Sequence, residues 1–94
     1  MKLPSLIERL HALISLPSVS SSTPGRDMGN RAVIDLLASW LEQAGFAVEI
    51  MPVTPCGHKA NLIATKGTGS GGLVLAGHTD TVPFDENLWS VNPL

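Results

Sequence analysis

Leu73-Val74-Leu75-Ala76-Gly77-His78-Thr79-Asp80-Thr81-Val82-Pro83 decides the fold class of this 94-residue chain. Four apolar residues in a row, closed by glycine, read as a strand apolar on both faces. Such strands lie inside sheets that are covered on both sides. Where this strand opens into a loop, an imidazole and a carboxylate stand two residues apart. Residues i and i+2 of an extended chain point to one side, so His78 and Asp80 share a face. A histidine that holds a metal through one ring nitrogen usually gives its other N–H to a carboxylate or a carbonyl, which fixes the tautomer. The chemistry this suggests is zinc-assisted hydrolysis. H-x-D also fits a strand-end histidine bonded to its neighbour for structural reasons, and one histidine is not a metal site.

Upstream, the hydrophobic period changes twice. Leu3, Leu6, Ile7, Leu10, Leu13 and Ile14 recur at steps of three and four, which predicts a helix over 3–16 that ends at Pro17. The serine-rich stretch 18–25 reads as a surface loop. A second helix is expected from Asp27, as N-cap, to Ala44, with Ala32, Val33, Leu36, Leu37, Trp40 and Leu41 as its apolar face. Gly45 stands where a left-handed cap is expected. From Phe46 the pattern is extended: 46–53 alternates in part, 54–59 is a turn, and 61–66 is a second strand. The glycines of 67–72 make a tight connection, read as a hairpin loop. They are no phosphate cradle, because an apolar strand follows them and not a helix N-terminus. The expected class is α/β, two helices followed by three strands. Two helices half-cover such a sheet and leave its edges open, so residues 1–94 are expected to be the opening part of one larger α/β domain.

Composition narrows the function. At 44% hydrophobic residues the chain is a packing, not a disordered, sequence. A net charge of −2 with six scattered basic residues argues against nucleic-acid and anionic-membrane partners. Pro4, Glu8 and Arg9 interrupt any signal-peptide core, and no apolar run approaches the roughly 18 residues of a membrane span. The single cysteine, Cys56, excludes an internal disulfide and fits a reducing cytoplasm.

The Gly77 to Pro83 run resembles the M20 family of dinuclear-zinc aminoacylases and peptidases. The likeness continues in Leu16-Pro17-Ser18-Val19-Ser20, Leu41-Glu42-Gln43-Ala44-Gly45-Phe46, Asn61-Leu62-Ile63-Ala64, and Phe84-Asp85 with Trp89 and Asn92-Pro93. The resemblance implies that His78 is the first zinc-binding histidine. It also implies that Asp80 belongs to the catalytic site as the aspartate behind that imidazole. The cofactor implied is two zinc ions per complete site, with cobalt as an alternative. The reaction implied is hydrolysis of an N-acyl amino acid by a water that the metals acidify, with a glutamate moving the proton. In the detail after Pro83 the resemblance is to family members that act on N2-acetyl-L-ornithine, which implies ornithine and acetate as products and a role in arginine synthesis. Alternatives are a succinyl-diaminopimelate or dipeptide substrate, or a metal-free module that self-associates through strand edges. Family members carry a smaller dimerisation domain, so a cytoplasmic homodimer is implied. The family's remaining metal ligands and its catalytic glutamate have no counterpart in this sequence, so the 94 residues are expected to be inactive alone.

Other candidates have plainer readings. Cys56 and His58 form C-x-H in a turn without a second ligand pair, so an exposed loop accounts for them. His11 lies on an amphipathic helix as a boundary residue. Trp40 belongs to the helix stripe. Asp85 and Glu86 are adjacent and read as a solvated turn. The serines at 18 and 20–22 lack a base placed by any motif.

Overall fold

Ser5 starts the first helix and does so with its own side chain. In the computed structural model, which describes residues 2–94, α1 spans Leu6–Ile14. Ser5 Oγ accepts from the Glu8 amide at 3.2 Å, and Glu8 Oε2 accepts from the Ser5 amide at 3.1 Å. This reciprocal capping box fixes the start three residues after the predicted one. No residue of α1 is buried, and Leu6, Ile7, Leu10 and Ile14 are exposed.

Helix α2 spans Arg31–Gln43 and begins three residues later than Asp27 as N-cap suggests. Its first amides are capped from another part of the chain. The His58 carbonyl accepts from the Asn30 and Arg31 amides at 3.0 and 3.2 Å. That approach requires Gly29, where a Cβ would lie 2.2 Å from the same oxygen. The far end follows the prediction. Gly45 adopts φ +91°, its amide bonds to the Glu42 carbonyl at 3.0 Å, and the Phe46 amide bonds to the Leu41 carbonyl at 2.9 Å. These two bonds make a Schellman cap.

Strand β1 (Ala47–Pro52) pairs antiparallel with β2 (Ala60–Thr65), with Val48 opposite Ala64 and Ile50 opposite Leu62. Val48, Ile50, Leu62 and Ala64 alternate with exposed neighbours and face α2, as the period-2 pattern predicts. The buried core is small: Val19, Val33, Ile34, Ala38 and Ala60. Ile34 and Ala38 therefore belong to the inner face of α2, whereas the predicted Ala32 is exposed.

The β1–β2 hairpin turns through 53–59, so the glycines of 67–72 do not form a hairpin loop. The predicted third strand is not formed either. Residues 73–76 carry no ladder bonds, and Leu73, Val74 and Leu75 are 84–89% exposed. A strand exists only against a bonded neighbour, and the sheet holds only β1 and β2 among the described residues. Gly67, Gly69, Gly71 and Gly72 all have positive φ and lead the chain off the sheet. The radius of gyration, 15.3 Å, exceeds the roughly 12 Å of a compact chain of this length. The fold is α/β, with two helices and a two-stranded sheet. No helix among the described residues is long and apolar enough to cross a membrane.

Asp27, displaced from its expected capping role, clamps the 20s loop to the hairpin. Its Oδ2 meets Lys59 Nζ at 2.6 Å, and its Oδ1 accepts from the Ser21 amide at 3.0 Å. The hydrogen bond from Lys59 foremost, then that from Ser21, holds the carboxyl below the ordinary carboxylate range. A depressed folded-state pKa stabilises above the unfolded value of about 3.9 and loses that contribution as pH falls toward the folded value. Urea midpoints of wild type and Asp27→Asn at pH 7 and pH 3.5 test this. The variant loses less stability on acidification than the wild type, and parallel losses would refute the clamp.

Candidate metal centre

The segment that carries His78 is extended chain, held from below by the distant residues Ser18, Ser20 and Asn30. Val19 and Thr81 form a parallel bridge: the Ser20 amide donates to the Thr81 carbonyl at 2.9 Å, and the Thr81 amide donates to the Ser18 carbonyl at 3.2 Å. Buried Ser18 donates through Oγ to the Thr79 carbonyl at 2.5 Å. Asn30 Nδ2 donates to Thr79 Oγ1 at 3.0 Å. Thr79 and Thr81 are thus tied to the body of the protein. By the period of extended chain, His78 and Asp80 then face the other way.

They meet there. His78 Nδ1 lies 2.8 Å from Asp80 Oδ1 and 3.1 Å from the Asp80 carbonyl oxygen. Both oxygens only accept, so Nδ1 carries the proton and donates. The neutral ring then presents the Nε2 lone pair, and the His78 side chain is 81% exposed. One oriented imidazole nitrogen, open to solvent, is what a zinc ion takes from a single histidine. It is not a centre. No group of three histidine, cysteine, aspartate or glutamate side chains is gathered among the described residues. The donor set fits one bond to zinc and not the metal site, so no chemical step can be routed through a metal held by these residues.

A cleft of about 440 Å³ opens beside His78, between Leu13 and Leu37 on one side and Phe84 and Trp89 on the other. Among the described residues, His78 is the only ionisable side chain in its wall. Trp89 thereby packs its loop toward the helices, although it remains half exposed. Asp85 and Glu86 lie in an exposed turn, where Asp85 Oδ1 accepts from the Asn87 amide. Cys56 and His58 are exposed at the hairpin tip and bond to each other. Asn30 had no sequence signal. Ser18 lies within the Leu16–Ser20 segment, but its role appears only with the fold, because its partner is 61 residues away.

Acetylornithine deacetylase of Proteus mirabilis is 53% identical to this chain over 93 residues, a stretch covering 99% of the chain and 24% of the relative. The enzyme of the same name from Photorhabdus laumondii is also 53% identical with the same coverage, and that from Vibrio campbellii 54%. The chain is thus similar over nearly its whole length to acetylornithine deacetylases. It spans about a quarter of the length of the curated relatives it matches. No protein-family model matches it.

Proposed function

We propose that this chain is the N-terminal part of the catalytic domain of a zinc-dependent hydrolase that cleaves N2-acetyl-L-ornithine to L-ornithine and acetate. The observation that carries this reading is the similarity to acetylornithine deacetylases, which extends over nearly the whole chain. The His78–Asp80 pair supports it locally, as an imidazole oriented for one bond to a metal. In this reading Asp80 acts through His78 and holds the Nδ1–H tautomer, while Thr79 and Thr81 anchor the segment. When bound in a complete site, two zinc ions supply an acidified water and polarise the acyl carbonyl. The substrate is a small N-acyl amino acid, and the complete enzyme is a cytoplasmic dimer.

The 94 residues alone provide one zinc ligand and no catalytic glutamate, so they neither hold zinc tightly nor turn over. Calorimetric titration of the purified chain with zinc gives a Kd weaker than about 1 µM. A full structural ligand set would give about 10–16 kcal/mol of binding free energy, far tighter than that. An assay with N2-acetyl-L-ornithine gives no zinc-dependent hydrolysis. Stoichiometric tight zinc or zinc-dependent turnover would overturn the partial-site reading. For the complete protein, a preference for succinyl-diaminopimelate over acetylornithine would overturn the substrate assignment.

A further inference from the structure

The tip of the β1–β2 hairpin holds a nucleophile and a base that lie apart from His78. Gly57, at φ +73°, turns the chain so that Cys56 and His58 come together. Cys56 Sγ is hydrogen-bonded to His58 Nδ1, and Thr54 Oγ1 lies 3.8 Å from the sulfur and 3.3 Å from that nitrogen. The His58 main chain does not drift, because its carbonyl caps α2 through the Asn30 and Arg31 amides. Cys56 is exposed and open to a small oxidant. Among the described residues, the groups that act on the Cys56 thiol are His58 and Thr54, and the nearby Asp27 carboxylate is paired with Lys59.

We propose that Cys56, paired with His58, is a site of oxidation by small peroxides. With hydrogen peroxide, the Cys56 thiolate attacks one peroxide oxygen. The S–O bond forms as the O–O bond breaks, and hydroxide leaves with the electron pair of the broken bond. The hydroxide takes a proton from the His58 imidazolium and departs as water. Sulfur is oxidised by two electrons to a sulfenic acid, peroxide is reduced by two, and His58 is left neutral. Hydrogen bonds from the His58 backbone and ring, then from Thr54, pull the thiol down to about 7. About half the sulfur is therefore thiolate at neutral pH, against a few per cent for an ordinary thiol near 8.5.

The experiment exposes the purified chain to hydrogen peroxide from pH 5.5 to 9.5, traps the sulfenic acid with dimedone, and follows the adduct by intact mass. The wild type reacts with a rate midpoint near pH 7. At pH 7 it reacts several-fold faster than His58→Ala, which keeps the backbone N–H at position 58 and whose midpoint therefore rises only part of the way toward the ordinary thiol range. His58 acts on α2 through its backbone carbonyl, so the variant keeps that cap, and far-UV circular dichroism checks its fold. Should the variant unfold, the wild type in 6–8 M urea replaces it as the reference, and the folded chain reacts roughly tenfold faster. Equal rates and midpoints in folded wild type and folded His58→Ala, or in folded and urea-unfolded wild type, would overturn the proposal.

Discussion

Asn30→Ala will lower the unfolding free energy by about 2–3 kcal/mol, the largest loss expected from any polar substitution. The reason lies in the register of the hairpin. The Val53 amide bonds to the Lys59 carbonyl, so by alternation the N–H and C=O of the next pair point away from the ladder. Pro52 stands in that pair and has no N–H to leave unpaired. Ala60 stands opposite it, is buried, and has both groups on the open edge of β2. Asn30 answers both: its Oδ1 accepts from the Ala60 amide at 2.9 Å, and its Nδ2 donates to the Ala60 carbonyl at 3.0 Å. Its side chain behaves as a one-residue strand. The same Nδ2 also reaches Thr79 Oγ1, so the substitution loosens the His78 segment as well. Urea denaturation reads the first effect. Hydrogen exchange at the Thr81 amide, which donates to the Ser18 carbonyl, reads the second and accelerates in the variant. Thr79→Val removes only one of the three bonds and costs about 0.5–1.5 kcal/mol. An unchanged urea midpoint in Asn30→Ala would show that Ala60 finds other partners.

Ile34→Ala will cost about 2–4 kcal/mol, while Ala32→Ser, two positions away on the same helix, stays within about 0.5 kcal/mol. Ile34 is 4% exposed and is one of the few buried apolar residues among those described, so its truncation leaves a cavity. Ala32 faces solvent. Equilibrium denaturation of the two variants separates the observed helix face from the predicted one. Equal losses, or a larger loss at Ala32, would return the buried face to the predicted position.

The two helices, the Gly45 cap and the alternation of β1 and β2 were legible because each rests on neighbours within a few residues. The His78–Asp80 contact was legible for the same reason, since two residues apart on extended chain is enough to bring an imidazole to a carboxylate. The start of α2 was not. Asp27 is a good N-cap by type, but the His58 carbonyl occupies the first amides and frees Asp27 to pair with Lys59. The predicted face of α2 holds at Val33, Leu36, Leu37, Trp40 and Leu41, but it took in the exposed Ala32 and missed Ile34 and Ala38. The stripe Val33, Leu37, Leu41 is flanked on both sides by apolar residues, and only the sheet decides that Ile34 and Ala38 go inward.

What the sequence determined by itself is local: helix and strand periods, the left-handed glycine, and an imidazole backed by a carboxylate after an apolar run. The tertiary structure alone decided whether that run becomes a strand, because a ladder needs a partner and 73–76 has none in the two-stranded sheet. It alone also decided which residues hold the His78 segment. Ser18 and Asn30 lie 61 and 49 residues from Thr79, and bonds across such distances form only once α2 and the hairpin are packed.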